Sequence, residues 1–373
     1  MKLKLDIDNF LAEYWQQKPL LIRDAIDNFR PPIDANELAG LAMEKGVESR
    51  IIETLAQNWA LYHGPFEEAD FDRKRPWTLL VQAVDHHVQD VAALLGVVDF
   101  IPSWRVDDVM VSYAVDGGSV GPHYDNYDVF LLQGEGCRRW QLGQQCNSST
   151  PLVDHPDLRI LKDFHSVEEY ILQPGDILYI PPGVAHWGIA QGDGTTFSLG
   201  FRAPRINDLV SRWVDELLEK LDPEAFYRDT KQTRTTQAGE IRAEDFSRAR
   251  EQLAQALTEK TSQHWFGEMV TEPRYTMEPD EQAMQSSLVR LDNEAAIVTL
   301  QPWSKLAWQK SDRGIDVFAN GQLIQCCNEV GAMLVLLCRD KMLDSAAMAH
   351  AKASPQCHEL LKQLILLDCI SSQ

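Results

Sequence analysis

Between Trp104 and Pro204 the chain carries six short apolar runs, at residues 109–115, 128–133, 138–142, 167–172, 176–180 and 195–201, separated by turns rich in Gly, Pro and Asp. Short strands joined by tight turns bury their apolar sides by closing on one another, so this stretch predicts an antiparallel sandwich or barrel. The flanks are helical in texture. On the N-terminal side Asp8 is placed to cap a helix carrying Phe10, Leu11, Tyr14 and Trp15, Pro19-Leu20-Leu21-Ile22 reads as a strand, and further helices are predicted at 34–44 and 77–95. After Pro204, Asn207 or Asp208 is expected to cap a helix in which Leu209, Val210, Trp213, Val214, Leu217, Leu218 and Leu221 recur at helical spacing, and the stripe resumes at 246–257. Such a stripe must pack on something, either its own domain or a second copy of the chain. From about residue 288 come strand-like runs at 295–300 and 314–319, an Asn320-Gly321 hairpin signal, and helices at 329–342 and 358–367, a pattern that fits a small winged-helix-like module. The predicted class is α+β, with a barrel and its helical lead-in at 1–205, a helical segment at 206–270, and a winged-helix-like domain at 271–373.

Composition narrows the functions open to such a chain. At 373 residues it exceeds one typical core. With 35 basic against 56 acidic residues and a net charge of −21, direct nucleic-acid binding is not expected. A basic protein is the complementary partner, and solubility alone is the plainer reading of the same charge. No run of eighteen apolar residues is present, so no membrane span is expected, and the first residues lack the apolar core of a secretion signal. Seven cysteines without Cys-x-x-Cys spacing suggest neither a disulfide framework nor a zinc site, which points to a reducing cytoplasm.

Two segments about sixty residues apart carry metal-binding chemistry: Gly121-Pro122-His123-Tyr124-Asp125 and Pro181-Pro182-Gly183-Val184-Ala185-His186. His and Asp one residue apart share a side of an extended strand, and a second strand must bring the other His alongside. Two imidazoles and one carboxylate on one face of a cation leave the opposite positions free, the arrangement of oxygen-activating ferrous sites. A 2-oxoacid and dioxygen together would fill those positions. A lone His-x-Asp is weak, and the chain holds another, His155-Pro156-Asp157, whose prolines and acidic neighbours read as a turn. His63, His86, His87, His165, His264, His350 and His358 lie in no segment resembling a ligand loop and read as surface or cap residues.

With these residues in view, the chain resembles the JmjC-domain, cupin-fold (double-stranded β-helix, jelly-roll) 2-oxoglutarate oxygenases, and among them the ribosomal oxygenases. The resemblance covers roughly residues 1 to 205 and rests on several segments. These are Phe10-Leu11-Ala12-Glu13-Tyr14-Trp15, Gly121 to Gln133, Gly136-Cys137-Arg138-Arg139-Trp140, Pro174 to Gly183 with His186, and Ser198-Leu199-Gly200-Phe201-Arg202-Ala203-Pro204. The downstream order of helical dimerisation segment and winged-helix-like domain fits as well. It implies Fe(II) on His123, Asp125 and His186, with 2-oxoglutarate and O2 as cosubstrates. It also implies hydroxylation of the β-carbon (3-position) of an arginine in large-subunit ribosomal protein sixteen, as in the bacterial members, and a homodimer.

Many relatives hold the distal carboxylate of 2-oxoglutarate with a lysine fifteen residues after the first ligand. Here that position is Arg138, whose planar fork grips a carboxylate bidentately. Arg139 and Arg202 are rivals, Arg139 on the opposite strand face and Arg202 at a strand end. Ser112 and Ser198 are candidate hydroxyl donors to the cosubstrate, each alternatively an ordinary strand serine. Some relatives place an asparagine near Met110, and this chain does not. Two other functions fit part of the pattern. A JmjC lysine demethylase would use the same iron chemistry and release formaldehyde. A non-catalytic metal-binding cupin would act as a scaffold for a basic protein, although such cupins usually present His-x-His with Glu.

Overall fold

The computed structural model describes residues 3–55, 58–230, 232–234, 237, 239–257, 263–275, 280–293 and 296–372. The chain forms two compact units, Met1–Ala203 with Gln301–Trp303, and Pro204–Leu300 with Ser304–Gln373.

The first unit opens with α1 (Ile7–Glu13), capped by Asp6 rather than Asp8: the Asp6 carboxylate accepts the Asn9 N–H, and Asp8 sits in the first turn. After β1 (Leu20–Ile22), α2 (Ala35–Met43) starts at a reciprocal capping box between Asp34 and Glu37. A hairpin of β2 (Ser49–Leu55) and β3 (Asn58–His63) then precedes β4 (Trp77–Val81) and the single turn α3 (Gln89–Ala92). The helix expected at 77–95 is therefore a strand followed by short turns. Trp77-Thr78-Leu79-Leu80-Val81 is buried along its whole length, and a strand buried on both faces shows no alternation to set it apart from a helix. The barrel strands follow: β5 (Val106–Ala114), β6 (Val129–Gln133), β7 (Cys137–Gln145), β8 (Glu168–Leu172), β9 (Ile177–Ile180), β10 (Val184–Gln191) and β11 (Gly194–Phe201).

They form an eight-stranded sheet in the order β1-β9-β6-β11-β5-β4-β2-β3 and a three-stranded sheet in the order β10-β7-β8, with antiparallel pairing throughout. The lead-in thus supplies four strands of the large sheet as well as its helices. Register sorts the side chains. Ser112, Thr196 and Gln133 face one another, as do Met110, Ser198 and Leu131, and directly paired residues share a sheet face. On that face Val129, Leu131, Leu178 and Ile180 pack with Trp140, Leu142, Leu172 and Val184 from the small sheet, and this is the barrel interior. The opposite face, with Val111, Phe130, Leu132, Tyr179 and Phe197, packs on Phe10, Ile26 and Leu38 of the lead-in.

The second unit begins with α4 (Ile206–Lys220), whose N-cap is Arg205; Asp208 lies in the first turn, where its charge complements the helix dipole. It continues through α5 (Ala243–Leu257), α6 (His264–Thr271) and α7 (Glu281–Leu291). Next come β12 (Val298–Leu300), β13 (Leu306–Ser311), β14 (Gly314–Ala319), β15 (Gln322–Cys326) and α8 (Gly331–Asp340). The unit ends with β16 (Met342–Leu343), α9 (Ser345–Ala353), α10 (Pro355–Leu366) and β17 (Ile370–Ser372). The expected strand start at Ala295 lies outside the described residues. Asn320 (φ 48°) and Gly321 (φ 81°) make the two-residue turn joining β14 to β15, as their sequence signalled. Val298, Val317, Leu334, Leu337, Leu361 and Leu364 belong to its apolar core. Among the described residues no helix is long and apolar enough to cross a membrane.

Candidate metal centre

His123 lies in the loop between β5 and β6, flanked by Gly117-Gly118 and Gly121-Pro122. At His123 the loop meets β10 in an isolated antiparallel bridge, in which the His123 N–H donates to the His186 carbonyl (3.0 Å) and the His186 N–H to the His123 carbonyl (2.8 Å). Gly121, at φ 83°, and Pro122, which has no N–H, stop a longer ladder from forming. A side chain at 121 would also meet the Trp59 indole at 2.9 Å. Two residues on, the Asp125 carbonyl accepts the Gly183 N–H (2.7 Å), a second tie between the two segments.

These ties bring His123, Asp125 and His186 together, with one donor atom from each lying within 4.8 Å of the others. The Asp125 carboxylate is 3.6 Å from His186 Nε2. Each imidazole is turned the same way: His123 Nδ1 lies 2.9 Å from the Gly121 carbonyl, and His186 Nδ1 lies 3.0 Å from the Val184 carbonyl. A carbonyl only accepts, so Nδ1 carries the proton in both rings and each Nε2 keeps a free lone pair. His186 is 2% exposed, and burial, then the nearby His123 ring, push its pKa down to about 4. It is neutral at physiological pH, the form that ligates a cation.

Deeper in the barrel, Arg138 projects from β7. Its Nη1 donates to Ser112 Oγ (3.2 Å), while its Nη2 is buried without a hydrogen-bond partner among the described residues. Burial pushes this guanidinium down to about 10. The two rival arginines both have carboxylate partners, Arg139 with Glu169 (3.4 Å) and Arg202 with Asp107 (3.1 Å). Trp140, two residues along the same strand face, lies between Arg138 and the imidazoles. The guanidinium is 5.8 Å from its ring and the His186 ring is 5.9 Å away. Trp140 Nε1 is also buried and unpartnered among the described residues. Gly188, paired with Trp140, has no side chain because the indole lies on it; a Cβ there would meet ring carbons at 2.7–2.9 Å. Ser198 is buried on the same interior face as Ser112, paired with Met110.

Sequence reasoning therefore chose residues that the fold does bring into one barrel. It assigned no role to Trp140, although its parity with Arg138 was visible, nor to Ser119, the one hydroxyl in Gly117-Gly118-Ser119-Val120-Gly121. Asp128, close in sequence to the loop, points elsewhere: it is fully buried, accepting from Tyr179, Gln16 and Arg105. The second His-x-Asp is a turn, in which His155 Nδ1 accepts the Asp157 and Leu158 N–H groups.

A buried guanidinium nitrogen and an indole N–H, both without a partner among the described residues, fit an anionic ligand, and two imidazoles with a carboxylate fit a divalent transition ion. Comparison with known proteins agrees with this chemistry. The JmjC domain family matches residues 93–209, and the ROXA-like winged helix family matches residues 242–370. The chain is 36% identical to the ribosomal protein uL16 3-hydroxylase of Escherichia coli strain K12, over 87% of this chain and 86% of that one. It is 41% identical to a probable ribosomal oxygenase of Haemophilus influenzae over 54% of this chain and 50% of that protein. Its fold matches the solved structure of YcfD, a ribosomal oxygenase from Escherichia coli, in complex with cobalt and 2-oxoglutarate. That match has a TM-score of 0.83 at 31% identity and covers 100% of this chain and 99% of that one. Likeness that runs through both units and through the segments bearing the clustered side chains shows that the chain belongs to the JmjC-domain ribosomal oxygenases.

Proposed function

We propose that the protein is an Fe(II)- and 2-oxoglutarate-dependent protein hydroxylase that adds a hydroxyl group to the β-carbon of an arginine in ribosomal protein uL16. The observation that carries this reading is the convergence of His123, Asp125 and His186 in the barrel that also buries Arg138, whose Nη2 has no hydrogen-bond partner among the described residues. The name of the Escherichia coli relative supports the substrate, and the cobalt and 2-oxoglutarate complex of YcfD supports the cofactors. In this reading the two Nε2 atoms and the Asp125 carboxylate hold the iron. Arg138 takes the distal carboxylate of 2-oxoglutarate, with Ser112 and Ser198 as hydroxyl donors to it. When bound, iron and 2-oxoglutarate supply the activation of dioxygen for hydroxylation of a C–H bond. Trp140, Leu142, Leu131 and Leu178 form an apolar cluster in the barrel interior, which would keep water from the cosubstrate. Asp125, 23% exposed, marks the side open to the substrate.

The test is incubation of the anaerobically prepared enzyme with Fe(II), 2-oxoglutarate, oxygen and uL16. The expected result is a mass gain of one oxygen on an arginine, with succinate released. His123→Ala and Asp125→Ala should abolish the gain while the circular dichroism spectrum is retained. Formaldehyde in place of a stable hydroxyl would make the enzyme a lysine demethylase. Uptake of uL16 by metal-free protein with no oxidation product would leave only a scaffold.

The division into a catalytic part at 1–205, a dimerising helical part at 206–270 and a winged-helix-like part at 271–373 belongs to the same proposal. Exposed Ile206, Val210, Leu218, Phe246 and Leu253 favour a homodimer through the helical part. Seven free thiols favour the cytoplasm, and the acidic balance favours a basic protein partner over nucleic acid.

A further inference from the structure

Two contacts tie the loop before His123 to β10: the Gly117 N–H donates to the Ala190 carbonyl and the Ala190 N–H to the Gly118 carbonyl, both at 3.0 Å, and then comes the His123–His186 bridge. Between Gly118 and His123 the loop takes five residue steps, while β10 takes four between His186 and Ala190. The extra residue must bulge, and a bulge beside a ligand can re-aim the neighbouring side chains unless something fills it.

Ser119 fills it. The side chain is buried, 4% exposed, and its Oγ accepts both the Gly121 N–H (3.1 Å) and the Trp187 Nε1–H (2.7 Å). Gly121 is the residue whose carbonyl orients the His123 ring, and Trp187 directly follows His186. One oxygen atom therefore joins the two ligand-bearing segments by side-chain contacts, in addition to the backbone bridge. Both ends of the link are fixed from outside. The Thr54 hydroxyl donates to the Ser119 carbonyl (3.3 Å), and the Trp187 indole meets Phe164 edge-on at 5.8 Å on the outer side of the small sheet. Without the hydroxyl, two N–H donors lose their partner, and the loop relaxes to find others.

We infer that Ser119 and Trp187 are positioning residues for the metal centre, acting as a clamp that sets the His123–His186 geometry. This rests on the metal-centre reading above. Neither residue touches the cation, cosubstrate or substrate, so the effect is expected in metal affinity and ligand-field geometry before turnover. Partners of this outer kind typically cost about 10- to 100-fold in metal affinity when removed.

The experiment uses the full-length chain stripped of metal by a chelator and titrated with Co(II), following both the dissociation constant and the visible ligand-field band. Ser119→Ala and Trp187→Phe should each weaken Co(II) binding by about tenfold or more and alter the band. The double variant should be no worse than the weaker single one, because both changes cut the same link. Melting of the metal-free variants should fall by only a few degrees, since the freed donors find other partners once the loop relaxes. Should either substitution prevent folding, the other decides alone. Wild-type Co(II) affinity and an unchanged band in both variants, with binding abolished by His123→Ala, would overturn the clamp and leave the metal centre standing. Undiminished Co(II) binding by His123→Ala would overturn both.

Discussion

Arg138 is buried in the barrel wall with one guanidinium nitrogen unmatched among the described residues, an arrangement that destabilises the protein until an anion arrives. Arg138→Met, which keeps the volume and removes the donor, should stabilise the cosubstrate-free chain by about 1–3 kcal/mol in chemical denaturation. In that variant 2-oxoglutarate should no longer raise the melting temperature. The folded guanidinium has a pKa lowered to about 10 from an ordinary value of 12.5. The cost of its charge is therefore fully present at every pH below that, and the gain should not vary with pH through the neutral range. Arg138→Ala should weaken 2-oxoglutarate binding by on the order of 2–5 kcal/mol, read by titration calorimetry. His186 titrates in an accessible range. Its pKa falls from 6.5 to about 4 on folding, so its contribution is complete above 6.5 and lost as pH drops through 4. The urea midpoint of the metal-free protein should decline across that window, and His186→Asn should flatten the decline.

At the level of elements, the pairing of β7 with β10 places Trp140 flat on Gly188. Gly188→Ala should force the indole off this seat, destabilising the fold by about 1–3 kcal/mol in urea unfolding and weakening 2-oxoglutarate binding in calorimetry. The elements also divide by how far they could be read from sequence. β5, β6, β7 and β11 alternate or end in clear turns, and the His and Asp of the loop were recognisable by residue type and spacing. β4 was hidden because all five of its residues are buried, and an unbroken apolar run fits a helix equally well. β10 was seen only as the carrier of a histidine: Ala185, Gly188 and Ala190 give it little apolar weight, since Trp140 supplies the bulk above Gly188. The His123 segment could be placed between two strands by its flanking Gly117-Gly118 and Gly121-Pro122, but its bridge to His186 joins residues far apart in sequence. The Ser119–Trp187 link joins residues 68 positions apart, and no local pattern announces a contact of that span.

For the molecule as a whole, the apolar stripe of α4 is the feature that asks for a partner. Val210 and Leu218 are 50% and 62% exposed, and no single-chain packing covers them among the described residues. Light scattering should report a dimer, and Val210→Asp with Leu218→Asp should yield monomers that keep Co(II) binding.

The rung between His123 and His186 has a consequence for redesign. It is made from peptide groups, so its spacing is indifferent to which side chains stand at either end. New ligand sets, an all-imidazole trio or one with a longer acid, could be written onto positions 123, 125 and 186 without rebuilding the loop. The scaffold is thus a socket whose electronic character can be rewired while its mechanical frame stays put.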